Sequence, residues 1–488
     1  MKKYFSALIA SAFLIPANAQ EKKIDFVEYD LENGMHVILH QDKSTPIVAV
    51  SVMYHVGSKN ENPNRTGFAH FFEHLLFEGS QNIDRGEYDK YVERNGGTLN
   101  ANTSQDRTYY YEIFPSNNLE LGLWLESERL LHAKVEKIGI ETQREVVKEE
   151  KRQRMDNQPY GSFMAEAFDR LFDKHPYQWT PIGSMEHLDA AQEEDYVTFY
   201  QTFYVPSNAT LSIAGDIDIE EAKKMINKYF GSIPKGQAIN LYRDFLFLND
   251  ADFAAKHKME KSVFNKEDFF NSPSPKAKEA IARYKKIPTK VPRPEVIEPR
   301  LKEKIVDTIY DNIQLPGVFL AYRSPAQNTE DSYALEMLNT VLAGGTSSRL
   351  NKIIVEDKQL AVSAFSFTFP LEDPGMALVA GIAAKDVDPV QLQQALDEQI
   401  KRVQEELVTE EEFQKVKNQF ENQFYSSNSS VAGKAESLAN YYVYYGNTNL
   451  INDELSVYDN ITREDLMAVA KKYLTEDARV ILYYLPKK

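Results

Sequence analysis

From Phe68 to Phe77 the chain reads FAHFFEHLLF, apolar everywhere except at His70, Glu73 and His74. Burying ionisable groups in such company costs several kcal/mol unless something pairs with them. At about 100° per residue, a helix puts Phe68, Phe71, Phe72, Leu75 and Leu76 on one broad stripe and the three polar residues on the opposite side. The segment is therefore expected to be a helix with one packed face, starting near Thr66 and closed by Gly79. His70 and His74 stand one turn apart, so their imidazoles can converge on one point. Glu73 lies beside them, able to reach a group bound there without being a ligand itself.

The spacing H-x-x-E-H is the inverted counterpart of the H-E-x-x-H zinc motif. A catalytic zinc takes three protein ligands and keeps one position open, so two histidines call for a third ligand from another element. A second predicted helix, roughly Val135 to Met155, carries ETQREVVKEEKRQRM. Gln143, Val146, Val147 and Glu150 share one of its faces. Glu150 thus points along the valine stripe toward the protein, where a carboxylate needs a cation. Glu149 falls off that face, toward solvent. His36 and His40 are also four apart, but they sit in a strand-like run with no acid between them and are assigned no metal.

The first nineteen residues have the layout of a secretory signal peptide: Lys2 and Lys3, an apolar run from Tyr4 to Pro16, and small residues at Ala17 and Ala19. That run is too short to span a bilayer. The mature chain is expected in the periplasm or outside the cell, and nothing later reads as a membrane span. The chain has no cysteine, so export brings no disulfides, and thiol nucleophiles and thiolate ligands are excluded. Net charge is −17, which argues against nucleic acid and anionic membranes as partners. No phosphate-cradling glycine loop and no GxSxG elbow occurs.

At 488 residues the chain is too long for one core. Residues 25 to 55 alternate apolar and polar around Asn33-Gly34, a hairpin signal. Tyr109 to Phe114 reads as a strand, Asn118 to Leu131 and Glu193 to Phe203 as helices, and Ala209 begins another strand. Between about 235 and 298 Lys, Pro and Ser accumulate, ending in KKIPTKVPRPEVIEPR, an extended linker after an insert. The pattern then restarts, with strands at Val306 to Tyr310 and Val318 to Tyr322 ahead of a helix, DSYALEMLNTVLAGG. Setting Ala334 on Ala69 puts Gly344 on Gly79, while Leu335, Leu338 and Asn339 stand in place of His70, Glu73 and His74. This reads as a duplicated module whose second copy lacks the polar triad. The expected fold is α+β: two homologous modules, each an antiparallel sheet with helices on one face. The division is 1–19 signal peptide, 20–234 first module, 235–298 insert and linker, and 299–488 second module.

These residues are similar to the pitrilysin/insulinase family of inverted-motif zinc metallopeptidases, especially its short two-module branch of bacterial peptidases and the mitochondrial processing peptidase. The resemblance covers essentially all of residues 24–488 and extends to GGTLNANTSQDRTYYYEIFP and HPYQWTPIGS. Glu150, 76 residues after His74, stands at the family's third-ligand position. The resemblance implies a zinc metalloendopeptidase with one zinc per chain on His70, His74 and Glu150, and Glu73 as general base. It places Asn100 and Ala101 on an edge strand to which a substrate peptide adds as a further strand. Many relatives have an acid seven residues before the third ligand, where this chain has Gln143.

The resemblance also implies an enclosed chamber built from four such modules, with an Arg and, seven residues on, a Tyr from the half without zinc. The matching stretch, IVEDKQLAVSA, has Val355 and Val362 at those positions; Arg349 is the nearest arginine. A second two-module subunit carrying the pair is therefore expected, with a homodimer as the next choice. The competing functional reading is a non-catalytic structural subunit of the same fold, and the whole triad argues against it.

Overall fold

The computed structural model describes residues 23–236, 290–327 and 329–487, with positions 239, 240, 243 and 282. The expected signal peptide and most of the expected insert at 235–298 lie outside the described residues. The first sheet holds β1 (Val27–Asp30), β2 (His36–Gln41), β3 (Ile47–Tyr54), β4 (Thr98–Thr103), β5 (Thr108–Pro115) and β6 (Ala209–Gly215). Their order is β1-β2-β6-β3-β5-β4. Among these strands run α1 (Phe68–Leu75), α2 (Tyr88–Arg94), α3 (Leu119–His132), α4 (Lys137–Lys151), α5 (Phe163–Leu171), α6 (Met185–Ala190), α7 (Glu193–Phe203) and, after β6, α8 (Ile219–Phe230). β1 and β2 form the antiparallel hairpin expected at Asn33-Gly34, with Gly34 at φ +90°.

The second sheet takes β7 (Ile305–Asp311), β8 (Gly317–Arg323), β9 (Ala361–Phe369), β10 (Met376–Ala383) and β11 (Val480–Pro486) in the order β7-β11-β8-β10-β9. Its helices are α9 (Glu330–Ala343), α10 (Pro389–Glu405), α11 (Glu410–Ser427), α12 (Val431–Tyr445), α13 (Leu450–Asn460) and α14 (Arg463–Tyr473). The order repeats that of the first sheet from β2 onward, which is the topological form of the duplication. One pairing in each sheet departs from the expected antiparallel pattern: β2–β6 and β7–β11 are parallel. The last strand of each module returns after a long helical excursion, and such a crossover is what a parallel pair requires.

Aromatic packing fixes α1. Phe68, Phe71, Phe72 and Leu75 are buried, and Phe68 stacks on Tyr196 at 4.6 Å while Phe72 stacks on Phe199 at 5.4 Å. The sequence predicts helices on one face of each sheet; the other face is covered as well, by a helix from the opposite module. Val431, Ala435 and Ala439 of α12 lie on Ala49, Ala214 and Met53 of the first sheet. Ala167, Phe168 and Leu171 of α5 pack in one cluster with Phe319, Ala321 and Leu482 of the second. In the α12 contact, alanines on both sides let helix and sheet approach closely.

A buried ionic cluster ties the modules together. Lys59 Nζ reaches Asp106 Oδ1 at 3.0 Å and Asp373 Oδ2 at 3.1 Å, and also pairs with Glu372. Tyr177 donates to Asp106 at 2.6 Å. From the linker, Arg293 donates to His55 O and Asn208 Oδ1, and Glu298 accepts the N–H groups of Lys174 and His175.

Candidate metal centre

α1 begins at Gly67, whose φ of +96° suits glycine, and a Cβ there would meet Ile182 O at 3.0 Å. The helix has no capping side chain at that position. Glu61, buried, takes the role from outside: its carboxylate accepts Gly67 N–H and Ala69 N–H, each at 2.8 Å, and Trp179 Nε1–H at 3.1 Å. Burial pushes the Glu61 carboxyl up to about 8, against those hydrogen bonds.

One turn on, the predicted constellation assembles. His70 Nε2 and His74 Nε2 lie 3.3 Å apart, and Glu150 Oε2 of α4 lies 3.3 Å from the first and 3.0 Å from the second. Among the described residues these three form the cluster whose ligand atoms fall within 4.8 Å of one another. A tetrahedral ion with bonds of about 2.0–2.1 Å holds neighbouring ligand atoms about 3.3 Å apart, so the donor set fits zinc in both chemistry and spacing. Hydrogen bonds from His70 and then His74 hold the Glu150 carboxyl well below the usual carboxylate range. Its other oxygen pairs with Arg154 at 2.7 Å. The His74 side chain is 26% exposed against 10% for His70, so the cluster opens on the His74 side.

Glu73 stands apart from the three ligand atoms, and Thr103 Oγ1 of β4 donates to its Oε2 at 2.6 Å. Among the described residues β4 is an edge strand, paired only with β5. Asn100 points outward, and its Oδ1 accepts the N–H of Ala101 at 2.8 Å. Gln143 does not join the cluster; its Nε2 donates to Glu78 at 2.6 Å. Val146, expected on the inward face of α4, is 42% exposed, because only the Val147 and Glu150 side of the helix meets α1. His36 and His40 serve the fold, hydrogen-bonded to Asp30 and to Asp25 O respectively.

Two residues that matter here escaped the sequence reading. Thr103 lies two positions after Ala101, so strand alternation puts both on one face; only the pairing of β4 shows that this face meets α1. Glu61 precedes α1 in a short irregular stretch without periodicity, and no pattern marks it.

Two family models match the chain: "Insulinase (Peptidase family M16)" over residues 36–171 and "Peptidase M16 inactive domain" over residues 191–420. The chain belongs to the insulinase family of peptidases. The first match contains His70, Glu73, His74 and Glu150. The second contains Leu335, Leu338 and Asn339, which are buried in the second core, with Asn339 bonded to Leu335 O and Ser366. Among insulinase-family relatives, zinc protease PqqE of Helicobacter pylori is 28% identical over 93% of this chain and 92% of its own length. An uncharacterized zinc protease, YmxG, of Bacillus subtilis is 23% identical over 93% and 97%. A solved protease from Helicobacter pylori superposes with a TM-score of 0.80 at 26% identity, over 95% of this chain and all of that one. The periplasmic protease PqqL of Escherichia coli gives 0.68 at 18% identity, over 94% of this chain but 47% of its own. These names support zinc as the metal. No helix among the described residues is long and apolar enough to cross a membrane.

Proposed function

We propose that the chain is an exported zinc-dependent endopeptidase with the metal on His70, His74 and Glu150 and Glu73 as general base. The observation that carries this reading is the convergence of three ligand atoms from α1 and α4 at the spacing of a tetrahedral site. Bound there, zinc supplies a Lewis acid for the scissile carbonyl and acidifies the attacking water. Glu73 takes that water's proton and delivers it to the leaving amine. Thr103 fixes one Glu73 oxygen and leaves the other for the proton. An extended peptide adds to the free edge of β4, displacing Asn100 Oδ1 from the Ala101 N–H it covers.

The chain works as half of a larger chamber. PqqL carries in one chain about twice the length matched here. At the positions of the missing Arg/Tyr pair, Val355 and Val362 offer no donor, and Arg349 is committed to Glu412 by two bonds of 2.7 and 2.8 Å. The expected partner is a second two-module subunit that supplies those donors; a homodimer is the second choice. Export rests on the signal-peptide layout of residues 1–19, and the modules are 20–234 and 299–488.

The test pairs metal analysis with digestion of a peptide library. Glu73→Gln should keep its zinc and lose cleavage by roughly 10²–10⁴-fold, while His70→Ala should lose both. Wild-type activity in Glu73→Gln would sink the mechanism. Full activity from the isolated monomer would sink the partner.

A further inference from the structure

In the second module, four helices, α9, α11, α12 and α13, line a half-open cavity of about 280 Å³. Glu336 from α9 and Glu454 from α13 both face it, and no Lys, Arg or His lines it. Neither carboxylate has a cationic partner among the described residues. Their donors are phenols: Tyr458 OH to Glu336 at 3.0 Å, and Tyr441 OH to Glu454. Two carboxylates in one cavity, bonded only to neutral groups, repel each other and are poorly solvated, an arrangement that a cation between them would relieve.

The rest of the wall points the same way. Tyr333 and Tyr458 stand edge to face at 5.0 Å, presenting ring surface, and Tyr441 and Tyr445 add two more rings. Asn428 is only 7% exposed; its Nδ2 is spent on Phe424 O at 3.0 Å, and its Oδ1 is buried with no partner among the described residues. Carboxylates, an orphaned amide oxygen and aromatic faces are what a cation with N–H donors requires. Gln327 Nε2, a buried donor also without a partner among the described residues, adds room for one acceptor on the same ligand.

We propose that this cavity binds an organic cation, a guanidinium or alkylammonium group seated between Glu336 and Glu454 against the tyrosine rings. Burial raises both carboxyls, Glu336 to about 7, and the bound cation restores their charge. The site is independent of the metal centre, so the reading of that centre can fail while this one stands. A free amine and a basic side chain of a polypeptide share this chemistry, and the probes separate them.

The experiment is calorimetric titration of the purified mature protein at pH 8 with agmatine, with Nα-acetyl-argininamide and with Nα-acetyl-norleucinamide. At least one of the two guanidinium probes should bind saturably at one equivalent, and the norleucine compound should not. Agmatine alone binding identifies a free amine as the ligand, and acetyl-argininamide alone identifies a polypeptide side chain. Glu336→Gln and Glu454→Gln should each weaken binding by roughly tenfold or more, while Glu411→Gln, exposed on α11, should not. Both cavity variants remove a carboxylate that has no cationic partner among the described residues and keep an oxygen for the phenol, so each should melt no lower than wild type. If either fails to fold, Tyr458→Phe, which deletes one hydroxyl, gives the same reading through Glu336. No saturable binding of either guanidinium probe, or binding untouched by these substitutions, would show a water-filled void and overturn the proposal.

Discussion

Replacing Glu61 measures how much of the candidate metal centre depends on a residue outside its three ligand atoms. Its carboxylate receives Gly67 N–H, Ala69 N–H and Trp179 Nε1–H, but Trp179 also donates to Ser58 O at 3.0 Å. Glu61→Ala therefore leaves two buried N–H groups without acceptors, and each costs about 1–3 kcal/mol. Water entering the vacated space offsets part of this, so about 2–4 kcal/mol is expected. Glu61→Gln keeps one acceptor oxygen and should cost about half as much. Urea unfolding followed by Trp179 emission, in a Trp124→Phe background, reads the region directly because the indole sits on the carboxylate. Zinc retention against a chelator should fall in the same order, since the first turn of α1 carries His70. The pH dependence has a definite sign. The folded carboxyl, near 8 against an ordinary 4.5, holds its proton more tightly than the unfolded one. Its contribution is full below about 4.5 and declines as pH rises toward 8, so Glu61→Gln should flatten the stability profile across that window. A Glu61→Ala protein within about 0.5 kcal/mol of wild type would refute the capping role.

Thr103→Val removes the bond to Glu73 with little change in shape; kcat should fall about tenfold with KM and zinc content unchanged, and an unaltered kcat would mean Glu73 is oriented otherwise. Lys59→Met leaves Asp106, Glu372 and Asp373 facing one another without their cation, and should destabilise the chain by about 3–5 kcal/mol in urea; a loss under about 1 kcal/mol would count against the inter-module cluster. Burial alone would raise the Glu372 carboxyl, but the hydrogen bond from His55 and the charge of Lys59 outweigh it and hold the group at about 2. Because that carboxyl is depressed in the folded state, its contribution is present above about 4.5 and lost as pH falls toward 2. The stability difference between wild type and Glu372→Gln should close over that interval.

Legibility followed periodicity. The stripe of Phe68, Phe71, Phe72 and Leu75 specifies both a helix and its buried side, and the position of His70, Glu73 and His74 follows by rotation alone. The face of α4 bearing Val147 and Glu150 was readable for the same reason, and Val146 missed because the packed face is narrower than the apolar pattern. The duplication was visible because the helix around Ala334 and the strands before it repeat the rhythm of the helix around Ala69 and its strands. What stayed hidden depends on contacts between segments far apart in sequence. The parallel pairs β2–β6 and β7–β11 join the ends of each module, and no local pattern distinguishes them from antiparallel ones. Lys59, Asp106, Glu372 and Asp373 are each unremarkable charges in sequence, and only the docking of the two modules makes them one cluster.

The exchanged helices explain why a second module without ligands is kept beside the first. β3 and β6 are buried on both faces: Val50, Val52, Leu211 and Ile213 look toward the module's own helices, while Ala49, Met53 and Ala214 look toward α12. Without α12 those residues would face water, and β3, which pairs with both β5 and β6, would lose the layer packed on that face. Ordering the centre of that sheet orders β5 and, through it, β4, the strand whose Thr103 holds Glu73. The second copy thus needs no ligands to serve the first: α12 supports the sheet, the sheet supports β4, and β4 holds Glu73, the proposed base.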